Sequence, residues 1–357
     1  MSADGLPANS HIAVRRGRVS QKDVAREAGV SQATVSRVFT DEESVSEGKR
    51  KAVEAAAERL GYRPDAIARS LVQDATRMVG LAIMRFTNPF YARMIRDFTR
   101  ALQERGYWTL LLNVASPGEM EETLPTALQY QVDGMIVTSA TLSSQMANEF
   151  ARAGTPVVLF NRYALGNNVN AVCCDNVEGA RMVADALLDG GHERVAYVTG
   201  EVGSSTNRDR EEGFTQGLRE HGYTLMLREA GHYTYESGAI AARRLLGRDD
   251  PPDAIFCAND LMAMGALDVA RSEMGLQVPD DLSIIGFDDI PMASWPAYSL
   301  TTVRQPIKPM VDATIDVLMD AIETPGAQRE IEWIPPVFVD RASARTAQVA
   351  TGPIAAD

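Results

Sequence analysis

The residues best suited to recognising another molecule stand close together near the N-terminus: Gln32, Ala33, Thr34, Ser36 and Arg37. Gln can bond adenine edges, Arg can bond guanine or phosphate, and the methyls of Ala and Thr can meet the thymine methyl. A solvated helix face would usually carry Glu and Lys pairs instead. This face is polar but short-chained, which suits a major groove. A second set follows apolar runs further along: Asn88 and Phe90, Asn161 and Arg162, Arg210, Asn259 and Asp260, and Asp288. Polar groups just beyond the carboxyl ends of strands are where open α/β sheets bind ligands.

Catalytic signatures are absent from the sequence: no GxGxxG after the first strand, no GxxxxGK[ST], no HExxH and no GxSxG. The histidines, His11, His192, His221 and His232, fall in a tail or beside glycine and read as surface turn positions. Asp288 and Asp289 are adjacent at a strand end, and carboxylates so placed more often cap a helix or bond a ligand hydroxyl than form an acid/base pair. Cys173 and Cys174 are adjacent and, with Cys257, give neither a disulfide framework nor a CxxC metal spacing. The expectation is a binding protein without cofactor or metal, in a reducing cytoplasm. The basic Arg15, Arg16 and Arg18 have no apolar run beside them, and nothing approaches 18 consecutive apolar residues, so neither a signal peptide nor a membrane span is expected.

The first set of residues needs a small frame of helices. Ser20 is a good N-cap and Asp23 sits in the first turn, so a helix is predicted from Gln21, with Val24, Ala25 and Ala28 as a narrow apolar stripe. Gly29 ends it, and Ser31 caps a second helix whose Val35 and Val38 turn back toward the first. Two capped helices about a glycine turn make a helix-turn-helix, the plain alternative being a helical hairpin in a core. Ser46 can cap a third helix, predicted to run to Leu60 and stopped by Gly61. Residues 15 to 71 carry twelve Lys or Arg against nine Asp or Glu, although the whole chain has a net charge of -13. A basic head on an acidic body implies DNA binding with little non-specific clinging by the rest. Residues 62 to 71 (YRPDAIARSL) read as a short helix that forms only when held, or as a plain tether; Leu71 is suited to wedge between base steps in a minor groove.

The second set needs sheets. Strands at Met78–Met84, Trp108–Asn113, Gly134–Thr138 and Val157–Phe160 alternate with helices at Phe90–Arg105, Pro117–Gln129 and Leu142–Ala153. The order then returns: VAYVT at 195–199, a helix from Arg210 ending GLREHGY, PDAIFC at 252–257 and PDDLSIIGF at 279–287. Two open α/β halves in tandem place the expected site in the cleft between them. A final helix, Ile307–Glu323, and strands near Ile331–Ile334 and Val337–Val339 are expected to cross back and complete both sheets.

VAREAGVSQATVSRV, GYRPDAIARSL, NPFY at 88–91, CANDLMAMGAL at 257–267 and IGFDD at 285–289, in this order, resemble the lactose/galactose repressor family of bacterial transcription regulators. The resemblance runs from about Val19 to Thr346. It implies a small all-α helix-turn-helix head plus an α/β two-lobed, periplasmic-binding-protein-like body with two parallel doubly wound sheets. The implied division is a mobile tail at 1–17, the DNA-binding head at 18–61, a hinge helix and linker at 62–76, the effector-binding and dimerisation domain at 77–346, and a tail at 347–357. One lobe takes 77–162 and 306–334, the other 163–305 and 335–346.

The resemblance further implies a homodimer or tetramer on a near-palindromic operator, contacted by Ser31, Gln32, Ala33, Thr34, Ser36, Arg37, Lys49, Tyr62, Ala68 and Leu71. Lys49 stands where Thr is common and Asp65 where Asn is usual. In the cleft, the family's ligand arginine falls on Arg210, its aromatic ring on Tyr233, its hydroxyl acceptor on Asp288 and its asparagine on Asn259. Asn161 replaces a common Asp, and Arg162 beside it suits either an anionic effector or an internal salt bridge. The implied effector is a sugar or sugar derivative, with a purine as runner-up. The competing class is a solute-binding or sugar-processing protein whose N-terminal helices mediate protein contacts.

Overall fold

The structure is a computed structural model that describes residues 19–40, 45–63, 75–84, 87–114, 116–138, 143–164, 169–225, 227–324 and 331–346. The two tails and most of the hinge, including Ala68 and Leu71, lie outside the described residues, as does His11. The chain separates into two compact units, Met1–Thr76 and Arg77–Asp357.

In the first unit, α1 (Gln21–Ala28) begins with a reciprocal capping box: Ser20 accepts from the Asp23 amide while the Asp23 carboxylate accepts from the Ser20 amide. Gly29 adopts φ 65°, a left-handed conformation that closes α1 and turns the chain within three residues. Ser31 Oγ then accepts the Thr34 amide at 3.1 Å, opening α2 (Gln32–Thr40). In α3 (Glu47–Leu60) the expected Ser46 side-chain cap is missing, and only the Ser46 carbonyl is engaged, by the Arg50 amide at 3.0 Å. Val24, Ala25, Val35, Val38, Val53, Ala56 and Ala57 form the buried core, with Phe39 and Tyr62 packed on its edge. Most of these side chains are small, so the three helices pack closely around very little apolar volume.

The second unit alternates strands and helices. Its first sheet is built from β1 (Met78–Met84), β2 (Trp108–Val114), β3 (Gly134–Val137), β4 (Val157–Phe160) and β5 (Asn170–Cys174). Its helices are α4 (Pro89–Glu104), α5 (Pro117–Gln129) and α6 (Ser144–Arg152). The second sheet holds β6 (Val195–Val198), β7 (Leu227–Glu229), β8 (Ala254–Cys257), β9 (Ser283–Asp288) and β10 (Thr301–Arg304). It is accompanied by α7 (Asn176–Asp189), α8 (Ser205–Glu220), α9 (Tyr235–Leu246) and α10 (Asp260–Asp268). Then α11 (Ile307–Glu323) returns to the first sheet, followed by β11 (Ile331–Ile334) and β12 (Val337–Val339). The strand orders are β11-β5-β4-β3-β1-β2 and β12-β10-β9-β8-β6-β7.

Both sheets are built of parallel strands as expected, with one antiparallel edge in the second, where β12 runs against β10. Only Pro335 and Pro336 separate β12 from β11, so the chain leaves the first sheet at its carboxyl end and enters the second at the same end, which forces the reversed direction. The lobe boundary after Arg162 also moves, because β5 pairs in parallel with β4 and β11. Among the described residues no helix separates β4 from β5, and parallel neighbours are normally joined through one, so this strand carries no sequence signal of the expected kind. The lobes are therefore joined by three crossings, after Cys174, Arg304 and Ile334.

His192 is likewise not a surface turn residue; it is 1% exposed. The segment ending at Arg345 folds over the Gly190–Gly191 turn so closely that a Cβ on Gly190 would collide with the Arg345 carbonyl. Burial pushes the imidazole pKa below its ordinary value, against the pull of Asp253 at 3.5 Å.

Candidate functional site

Strand ends place every group in the cleft. Asn88 follows the first strand and caps α4, its Oδ1 accepting the Phe90 amide at 3.0 Å. Phe90 and Tyr91 form an edge-on pair in the first turn. Asn161 and Arg162 follow β4. From the other lobe come Thr206 and Arg210 on α8, Tyr233 beyond β7, Asn259 beyond β8, Asp288 at the end of β9 and Gln305 beyond β10. These eleven residues line one narrow cleft between the lobes. Of the nine residues expected at the cleft, all but Asp260 are among them. Asn161, Tyr233 and Asp288 have φ values of 58°, 60° and 121°, sparsely populated by non-glycine residues. Strained backbone of this kind persists where surrounding contacts over-determine it, and it concentrates at binding sites.

Partners divide the lining into fixed and available groups. The Arg210 guanidinium donates to Asn176 Oδ1 at 2.8 Å and to the Ala258 carbonyl at 2.5 Å, lies over the Phe287 ring, and stands 3.5 Å from Asp288. Asp288 also accepts from Gln305 Nε2 at 2.6 Å. Asn259 caps α10 through Met262 and donates to the Tyr233 carbonyl, so it positions that ring. Gly200 leaves room for the ring, since a Cβ there would overlap the phenol. Asp260 does not line the cleft. It is fully buried behind it, accepting from Thr302 Oγ1 at 2.5 Å and the Ile290 amide at 2.8 Å. Burial raises the pKa of both Asp260 and Asp288, their mutual repulsion raises Asp260 further, and Arg210 works against the rise at Asp288. Asp289 turns away to Arg304 and Arg341, so the adjacent pair does not act together.

Arg162 reaches across the cleft. Its Nη1 donates to Ser204 Oγ and to Thr206 Oγ1 (2.9 Å), and the guanidinium lies 5.8 Å from the centre of the Tyr233 ring. Tyr91 adds a further side-chain hydrogen bond to it, and the Glu201 carboxylate adds a favourable field, so that its neighbours together raise its pKa despite its burial. Beside it, Tyr163 also spans the lobes, donating to Asp209 at 2.9 Å and accepting from Arg208 at 2.6 Å.

In the head unit, Ser31, Gln32, Ala33 and Arg37 are exposed along α2, with Thr34 and Ser36 half-buried beside them; Val35 and Val38 point inward. Lys49 is exposed on α3 and Tyr62 is half-buried against Phe39. Among the described residues no helix is long and apolar enough to cross a membrane, and no cluster of His, Cys, Asp or Glu is arranged to hold a metal.

Sequence reasoning missed Tyr91, Thr206 and Gln305. Tyr91 was within reach, inside NPFY. Thr206 was lost because α8 begins at Ser205 rather than Arg210, and Gln305 because β10 was not recognised as a strand.

Residues 20–65 match the model for bacterial regulatory proteins of the lacI family, and residues 184–344 match a periplasmic binding protein-like domain. The chain is 34% identical to the ribose operon repressor of Escherichia coli over 329 residues, covering 91% of this chain and 99% of that one. It is 32% identical to the HTH-type transcriptional repressor PurR of Photobacterium profundum over 328 residues, covering 91% and 98%. Its fold is similar to that of the lac repressor dimer bound to operator and the anti-inducer ONPF, with a TM-score of 0.83, 25% identity, and coverage of 91% and 98%.

Proposed function

The chain belongs to the lacI family of bacterial regulatory proteins and is a DNA-binding transcription regulator, and from that premise we propose that it is a cytoplasmic, non-enzymatic repressor. A small molecule held between its lobes, a sugar or sugar derivative, controls its grip on operator DNA. The observation that carries this reading is the convergence of strand-end side chains from both lobes on one cavity. A ligand touching both lobes favours one relative arrangement of them, and three crossings make that arrangement adjustable. The named relatives point the same way: one represses a ribose operon, and the lac repressor was solved as a dimer on its operator.

In this reading two copies bind a near-palindromic duplex. Gln32, Ala33 and Arg37 meet base edges, Ser31, Thr34, Ser36, Lys49 and Tyr62 support phosphate and groove contacts, and Ala68 and Leu71 act at the minor groove. The test is selection of duplexes from a random pool followed by a salt titration. A half-site motif repeated about a dyad, with affinity falling steeply as salt rises, supports the reading. Arg37→Ala is expected to weaken binding and Gln32→Ala to relax the preferred base at one position of each half-site. Flat, sequence-independent binding contradicts it.

A further inference from the structure

By formal charge the cleft lining sets two guanidiniums against one carboxylate. Its ionisable lining is Arg162, Arg210 and Asp288, beside the phenols of Tyr91 and Tyr233, and Arg210 is committed to Asp288, Asn176 and Ala258. Arg162 is only 9% exposed, and its hydrogen-bond partners are the neutral hydroxyls of Ser204, Thr206 and Tyr91. A guanidinium has five donors and its planar edge matches a carboxylate or phosphate. Three hydroxyls, one aromatic face and the field of Glu201 hold that charge without a carboxylate partner in the cleft lining. Two buried acceptors in the same lining, Asn161 Oδ1 and Gln305 Oε1, have no protein hydrogen-bond partner, although their residues are 6% and 2% exposed. The wall therefore offers a cation at one point and wants hydroxyl donors at two others.

Resting on the assignment of this cleft as the effector site, we propose that the effector is an acidic sugar, with its carboxylate or phosphate on Arg162 and its hydroxyls on Asn161 and Gln305. Arg162 thereby sets specificity and links the lobes, since the group that meets the anion belongs to one lobe and is steadied by Ser204 and Thr206 of the other.

Calorimetric titration of the full chain against matched probes tests this: D-ribose, D-ribonate and D-ribose 5-phosphate, then D-glucose, D-glucuronate and D-glucose 6-phosphate. At least one acid is expected to bind about tenfold or more tighter than its neutral parent, the scale of a charge-assisted hydrogen bond. The carboxylate and phosphate arms identify which anion fits. Arg162→Gln should abolish the preference while Arg162→Lys keeps part of it, both with wild-type thermal unfolding. Equal or tighter binding of the neutral sugars, or a preference that survives Arg162→Gln, overturns the proposal and leaves the effector cleft standing. Binding of nucleobases in place of every sugar overturns the proposal together with the sugar reading, and no binding by any of the six probes overturns the proposal.

Discussion

Arg210 is the most connected cation of the cleft, and replacing it by methionine separates its charge from its bulk. Methionine keeps the contact with Phe287 but strands Asp288, which is 6% exposed and left with Gln305 as its hydrogen-bond donor. It also frees Asn176 Oδ1 and the Ala258 carbonyl. Removing one partner of a buried pair costs about 3–5 kcal/mol. At about 2–4 °C per kcal/mol for a body of this size, Tm should fall by roughly 10 °C at pH 8. The deficit should shrink toward pH 5. Burial already raises the Asp288 pKa above 3.8, and loss of Arg210 raises it further. Between 3.8 and that raised value the folded state holds a proton the unfolded chain releases, so stability falls as pH rises. Adding Asp288→Asn to the methionine variant removes the stranded charge and should recover about 1–3 kcal/mol. Scanning calorimetry of the four proteins of the cycle measures this. A single variant within about 1 kcal/mol of wild type, or no recovery in the double variant, refutes the assignment of Arg210 as the partner that holds Asp288.

Gly200→Ala should displace the Tyr233 ring, because the new methyl overlaps the phenol, and so reduce effector affinity by an order of magnitude or more at a cost of about 1–3 kcal/mol; titration calorimetry reads it, with duplex affinity in the absence of effector unchanged. Val35→Ala removes two methyls from a fully buried site in a very small core, costing about 2 kcal/mol, and should abolish duplex binding while the calorimetric transition of the second unit stays in place. Asp260→Asn keeps an acceptor for the Ile290 amide and can meet Thr302 Oγ1 with the hydrogen bond reversed, the amide donating, while removing a carboxyl whose pKa is raised by burial and by Asp288; wild-type stability should fall as pH rises from 3.8 toward that raised value, and the variant should show a shallower slope in urea titrations across the same window.

The head was legible because its signals are local. Ser20 with Asp23, Gly29 and Ser31 set helix ends through hydrogen bonds a few residues long, and the stripe through Val24, Val35 and Val53 needed only three-to-four spacing. Half of the cleft was legible for the same reason, since Asn88 and Asn259 are helix caps directly after apolar strands. What sequence could not supply was long-range. The reversal of β12 follows from where the first sheet ends, and the burial of His192 from a segment some 150 residues further along the chain. The neutral partners of Arg162 lie at the start of a helix of the other lobe, more than 40 residues away.

The central claim is that one cleft ligand and one duplex are linked through the same molecule. The direct measurement is a closed thermodynamic cycle: duplex affinity with and without saturating effector, and effector affinity with and without saturating duplex, at fixed salt. Both ratios should be equal and differ from one by roughly 5- to 150-fold. An effector that binds the cleft with the same affinity whether or not the duplex is present contradicts the account.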